Sequence, residues 1–220
     1  MKKALFFDMD GVLVNSVEGN FSAWQKVLLD VGIYASMEEL MLYEGMKSEL
    51  MVQELAAIHM VELSLGEIMQ LQREKRSIQR ECYSIEPYPV FEMLLSLKEE
   101  GIKLYIVSGS PRDRVLECVE RFFPGIFDNI VSACDVALGK PHPEPFLRAQ
   151  DFSGFEANDC LIIENAPMGI ESGLKAGIDV IAIGTTLNQE HLSRAHHFVE
   201  NHKELFELLG THFLQKEVLQ

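Results

Sequence analysis

KALFFDMDGVLVNS, residues 3–16, runs an apolar segment straight into two carboxylates, Asp8 and Asp10. On extended backbone, residues i and i+2 project to the same face. Like charges that close raise each other's cost of ionising. The pair therefore demands a cation, a shared proton, or two separate roles. Gly11 permits a tight turn directly after it, and Asn15–Ser16 leads the chain away.

Four further apolar, β-branched runs match that first strand: IKLYIVS (102–108), NIVSA (129–133), CLIIE (160–164) and DVIAIG (179–184). Their unbroken hydrophobicity suits a parallel sheet covered on both faces. Helical segments lie between them. In VFEMLLSLKEEG (90–101), Val90, Leu94, Leu97 and Lys98 follow helical spacing, and Gly101 stands at the C′ position. In SPRDRVLECVERFF (110–123), Ser110 is the expected N-cap, Pro111 fits N1, and Asp113 is the first-turn acid. This alternation predicts a Rossmann-like, doubly wound α/β domain.

Residues 17–85 break the rhythm. They hold no good strand but three helical patterns: Phe21, Trp24, Leu28 and Val31 ending at Gly32; Glu49–Met60; and the charged Gly66–Tyr83. The reading is a helical cap, residues 16–85, inserted into a core of residues 1–15 and 86–220. Asn15–Ser16 and the Pro87/Pro89 segment are its two connections, an arrangement that allows opening and closing.

Composition narrows the function. The chain has 220 residues, 47% hydrophobic and 24% charged, which is ordinary for a globular protein. No apolar run approaches the roughly 18 residues of a membrane span. Asp8 cuts the N-terminal apolar stretch short of a signal peptide, so a cytoplasmic protein with no membrane partner is expected. Cys82, Cys118, Cys134 and Cys160 form no CxxC pair and are expected to be reduced, with Cys160 in a strand. A formal charge of −15 excludes a phosphate-backbone binder, hence no nucleic acid. An anionic substrate would need local compensation against that field. A monomer or weak homo-oligomer is expected.

Ligands of an open parallel sheet bind outside the carboxyl ends of its strands. The first strand delivers Asp8 and Asp10 there. The second delivers Ser108, Gly109 and Ser110; the segment after the third delivers GKPHPEPF (139–146) with Lys140; the fourth delivers Glu164 and Asn165. Singly, each has a plain reading as turn, cap or solvated surface. Jointly they describe phosphoryl chemistry. Carboxylates and an amide oxygen are hard ligands for Mg²⁺, and hydroxyls, N–H groups at a helix start and a lysine form a phosphate cradle. Asp8 would attack phosphorus, and Asp10 would give a proton to the leaving alkoxide and take one from water.

At these motifs (FDMDGVLVNS, VSGS, GKPHPEPF and IIENAPMGIESGLKAGI) the chain resembles the haloacid dehalogenase superfamily, specifically its β-phosphoglucomutase and small-metabolite phosphatase branch. The resemblance spans essentially the whole chain. It implies a Rossmann-like core, a cap inserted after the first motif, and Mg²⁺. It also implies Asp8 as nucleophile, Asp10 as general acid/base, and Ser108 and Lys140 on the phosphoryl group. The metal set it implies is Asp8, the Asp10 carbonyl, Glu164 and Asn165.

The departures are informative. Asn165 stands where the family most often has aspartate, and Asn15 where many relatives carry aspartate. Asn20 replaces the histidine of the mutases. Lys47 lies near the place of a mutase arginine that reaches a distal phosphate, so Asn20 and Lys47 are expected to touch substrate. His196 and His197 read as solvated surface, His142 as loop structure, Trp24 as cap packing, and REKRSIQRE (73–81) as an exposed helix face. The leading expectation is a Mg²⁺-dependent phosphatase of a small sugar or polyol phosphate. Its rivals are a hexose-phosphate mutase with the same site and a non-enzymatic phospho-receiver.

Overall fold

In the computed structural model, which describes residues 2–213, the apolar runs become strands in a fixed alternation of faces. The outer limits of the expected core, residue 1 and residues 214–220, lie outside the described residues. In chain order the elements are β1 (Ala4–Phe7), β2 (Val14–Asn15), α1 (Val17–Asp30), α2 (Met37–Leu42), α3 (Ser48–Ile58), α4 (Leu65–Cys82), β3 (Glu86–Pro87), α5 (Phe91–Glu99) and β4 (Lys103–Val107). There follow α6 (Arg112–Phe122), β5 (Asn129–Val131), α7 (Glu144–Ser153), β6 (Cys160–Glu164), α8 (Pro167–Lys175), β7 (Asp179–Ile183), α9 (Gln189–Leu192), β8 (His197–Val199) and α10 (His202–Leu208).

Six of these strands form one parallel sheet in the order β5-β4-β1-β6-β7-β8. Leu5, Phe7, Leu104, Ile106, Leu161 and Ile163 pack on one face. Ala4, Phe6, Tyr105, Val107, Cys160 and Ile162 pack on the other. Burial of both faces is why these strands read as continuous apolar runs. From β1 the chain builds outward through β4 to β5, then crosses back to β6 and builds the other way. That reversal places the ligand crevice at the carboxyl ends of β4, β1 and β6.

Helices α1–α4 gather around their own apolar cluster, with Phe21, Trp24, Leu40, Leu55 and Leu71 inside it. The chain leaves for them at β2 and returns at β3, and these two short strands pair antiparallel, Val14 opposite Pro87. A full capping box at Ser64 and Glu67 starts α4. All four cysteines are free thiols, with Cys160 buried in β6. Among the described residues no helix is long and apolar enough to cross a membrane.

Three features correct the sequence reading. Strand β8 was not foreseen, and the short α2 was missed. Helix α6 begins one residue later than expected, with Pro111 rather than Ser110 in the N-cap position. Ser110 is instead drawn into the site.

Candidate active site

Asp8 lies one residue beyond β1, Lys140 precedes α7, and Glu164 ends β6; the fold brings the three side chains into contact. The Lys140 ammonium is 1% exposed and donates to Asp8 Oδ1 at 2.5 Å, Glu164 Oε1 at 2.6 Å and the Val107 carbonyl at 2.9 Å. Those three bonds use all of its donors. Burial alone would strip its proton, but the charges of Asp8 and Glu164 outweigh that and hold the group above its ordinary value. For Asp8, burial pushes the carboxyl up, Lys140 pulls it down, and Glu164 and Asp10 add to the rise.

Glu164 is fixed from its other side. Its Oε2 accepts the backbone N–H groups of Asn165 at 2.9 Å and Ala166 at 3.3 Å. A Cβ at position 169 would come within 1.7 Å of Glu164 Oε1, so only glycine leaves room for this carboxylate. Gly11 is similarly required: its φ is +83°, and a Cβ there would meet the Asn165 amide at 2.1 Å.

Asp10 is engaged by a separate set of groups. Arg114, in the first turn of α6, grips it bidentately, with Nη1 to Oδ2 at 2.6 Å and Nη2 to Oδ1 at 2.5 Å. Ser110 donates to Oδ2 at 3.1 Å, and Ser16 donates to Oδ1. Burial works to raise the Asp10 pKa, but the Arg114 charge and the bonds from Arg114, Ser16 and Ser110 prevail, holding it at about 2. The two aspartates of the opening motif therefore sit in opposite electrostatic settings.

A Mg²⁺ ion is what the motifs imply, and the donor chemistry fits it. Asp8, Glu164 and Asn165 present hard oxygens. Asn165 is fully buried, and its Oδ1 has no hydrogen-bond partner, as is true of Oε1 on the neighbouring Glu44. Buried polar atoms in that state call for a partner such as an ion or a water. Among the described residues no three His, Cys, Asp or Glu side chains converge as a ready metal cluster. A site here would rest on two carboxylates plus the amide and a backbone carbonyl.

Beside Asp8 and Asp10 opens a cavity of about 400 Å³, floored by Ser108, Gly109 and Ser110 and roofed by Asn20, Trp24 and Lys75 of the helical insertion. This is a size suited to a small metabolite.

Residues 5–183 match the family model described as haloacid dehalogenase-like hydrolase. The chain belongs to that family. A solved structure from Bacteroides vulgatus, provisionally named a beta-phosphoglucomutase, superposes with a TM-score of 0.90 at 32% identity, covering 100% of this chain and 91% of that one. Hexitol phosphatase A of Escherichia coli is 30% identical, covering 87% of each chain. Beta-phosphoglucomutase of Bacillus subtilis is 27% identical, covering 83% of each. This haloacid dehalogenase-like hydrolase is thus an enzyme of the β-phosphoglucomutase-like branch, a phosphoric monoester hydrolase.

Not every expected residue reaches the hydrolase's cavity. Lys47 does not: its ammonium donates to the carbonyls of Val136 at 2.8 Å and Ala137 at 3.0 Å, tying the insertion to the core. The charged run 73–81 is not uniformly exposed either, because Lys75 and Gln79 are buried. Lys75 donates to Asn20 Oδ1 and to Gln79 Oε1, the latter at 2.7 Å, and lies 5.6 Å from the Trp24 ring. Burial, then repulsion from Arg114, brings its pKa down to about 7. His196 is exposed as expected, yet its Nδ1 accepts the Val180 N–H at 3.0 Å and its Nε2 lies 3.8 Å from Asp179.

Sequence reasoning about this hydrolase missed Arg114, Glu44 and Thr186. Arg114 carried a signal, since it stands in the first turn of the helix that starts just after Ser110, at the carboxyl end of β4. Glu44 carried none. It lies between α2 and α3, and only tertiary folding brings its Oε2 to 2.9 Å from the Asn165 amide nitrogen. Burial pushes its carboxyl well above the ordinary range, Asp8 adds to that, and the Asn165 bond opposes it.

Proposed function

We propose that the chain is a Mg²⁺-dependent phosphatase of a small phosphorylated metabolite, a sugar or polyol phosphate, working through a phosphoaspartate. What supports this most is the convergence of Asp8, Ser108, Lys140 and Glu164 at the carboxyl ends of three adjacent strands, beside a metabolite-sized cavity. Residues 16–85 would form the lid, and the described residues 2–15 and 86–213 the catalytic core.

Asp8 attacks phosphorus with a carboxylate oxygen, and the bond from phosphorus to the substrate oxygen breaks. Asp10 gives its proton to that departing alkoxide. Water then attacks phosphorus and yields a proton to Asp10. The bond to Asp8 breaks, releasing inorganic phosphate and restoring both aspartates. Ser108 and the Gly109 N–H hold the phosphoryl oxygens in place, joined by Lys140 and the Ser110 N–H once each gives up a bond it makes at rest, Lys140 to Asp8, Glu164 or the Val107 carbonyl and Ser110 to Ser108 Oγ. Asp8, the Asp10 carbonyl, Glu164 and Asn165 are the residues that would hold Mg²⁺. Once bound, the ion offsets the negative charge shared by Asp8 and the phosphoryl group. Asn20 and Lys75 contact the leaving group from the lid side, while lid closure excludes bulk water.

For Asp10 to act as an acid, the Arg114 clamp must loosen, because a carboxyl held at about 2 carries no proton near neutrality. Substrate entering beside Arg114 would draw the guanidinium away.

A second reading, transfer of the phosphoryl group to a sugar hydroxyl instead of water, is favoured by the two relatives named as beta-phosphoglucomutases. Asn20 weighs against it, since it offers an amide where the mutases carry histidine. Two assays test these readings. Phosphate release from a panel of phosphorylated sugars and polyols with Mg²⁺ should be substantial for at least one member, and absence of turnover throughout would overturn the phosphatase. Incubation with β-glucose 1-phosphate and a bisphosphate primer separates the outcomes, because glucose 6-phosphate in excess of free phosphate identifies a mutase.

A further inference from the structure

Asn165 poses a problem that a carboxylate would not. A carboxylate offers two equivalent oxygens to a cation, whereas an amide offers one oxygen and one NH₂. An amide ligand must therefore be turned the right way and held there. The structure contains such a holder. Glu44 Oε2 accepts Asn165 Nδ2 at 2.9 Å, and Thr186 Oγ1 accepts the same nitrogen at 3.0 Å. The two acceptors occupy the NH₂ end and leave Oδ1 as the free donor atom, buried and without a partner.

Thr186 follows β7 and belongs to the same sheet end as Asn165. Glu44 does not: it arrives from the helical insertion and is only 4% exposed. Its loop leans on the core at two further points. A Cβ on Gly109 would come within 2.3 Å of the Gly45 carbonyl, and Met46 forms an isolated β-bridge with Lys140.

We propose that Glu44 is a positioning residue for the cation site, orienting the Asn165 amide so that its oxygen can bind the metal, and that it thereby links lid position to metal affinity. This rests on the reading of Asp8, Glu164 and Asn165 as the cation site. Residues that orient a metal ligand from behind typically contribute 10–100-fold to affinity. Coupling is reciprocal: if a seated loop strengthens metal binding, bound metal holds the loop.

The test is Mn²⁺ binding to the full chain, followed by the electron paramagnetic resonance signal of free Mn²⁺. Wild type, Glu44→Ala, Asn165→Asp and the double variant are compared. The proposal predicts that Glu44→Ala weakens binding at least tenfold, and that the same change made on top of Asn165→Asp costs less than threefold. Equal affinity of Glu44→Ala and wild type overturns the proposal while leaving the cation site standing. An equal loss in both backgrounds also overturns it, since that marks Glu44 as merely structural. Failure of the wild-type chain to bind Mn²⁺ overturns the cation site itself. Hydrogen exchange on the wild type needs no variant to fold: amides of residues 43–47 should slow on adding Mn²⁺, and unchanged exchange contradicts the linkage.

Discussion

Arg114 and Asp10 form a two-pronged ion pair across the floor of the cavity, at 2.5 and 2.6 Å, with Ser16 and Ser110 bonded to the same carboxylate. The pair keeps the proposed general acid ionised in the resting enzyme. In Arg114→Gln that constraint is gone, and Asp10 should hold its proton to higher pH. The alkaline limb of kcat/KM, which reports an acid that must be protonated in the free enzyme, is expected to move upward. An unmoved limb would separate Asp10 from the titration.

The same pair sets a sign for acid stability. The Asp10 pKa falls on folding from 3.8 to about 2, so the folded state favours the ionised form. That contribution is fully present above pH 4 and is lost as pH falls through 2, roughly 2 kcal/mol in all. Urea unfolding between pH 5 and pH 2 should show this loss in wild type and a smaller one in Arg114→Gln.

Lys140 is the sole ammonium bonded to both Asp8 and Glu164 among the described residues. Lys140→Met leaves two buried carboxylates without their cation, a change of the kind that costs about 3–5 kcal/mol. The expected result is a destabilised, inactive protein in chelator, with part of the stability returned by Mg²⁺. Thermal melts with and without Mg²⁺ measure both effects.

Gly169 leaves room for Glu164 rather than serving a turn. A methyl group at 169 would lie 1.7 Å from Glu164 Oε1, so Gly169→Ala must displace the carboxylate from Lys140. Weaker Mg²⁺ binding and a lower kcat are expected. Retention of both would mean the helix shifts instead.

Much of this site was legible because strand chemistry is local. Buried runs such as CLIIE and IKLYIVS announce a two-sided sheet, and residues at their carboxyl ends, Asp8, Ser108 and Glu164, are carried to one edge by the topology alone. What remained hidden depends on contacts between distant segments. Ser110 reads as an N-cap, but the Asp10 carboxylate competes for its hydroxyl and Pro111 takes the cap position. Lys75 sits in a run of charges that looks solvated, yet the face of α4 carrying it turns inward over Trp24. Lys47 stands beside the cavity loop in sequence, but two backbone carbonyls capture its ammonium. The three-residue β8 and the six-residue α2 are too short to show a period.

Asp8 is the proposed nucleophile on which every later step of the reaction depends. Wild-type enzyme quenched in acid during turnover, reduced with borohydride and mapped by mass spectrometry should carry a reduced aspartyl residue at position 8. The Asp8→Asn variant should give no such product and no phosphate release. Full turnover by Asp8→Asn, or reduction at another carboxylate, would contradict the mechanism.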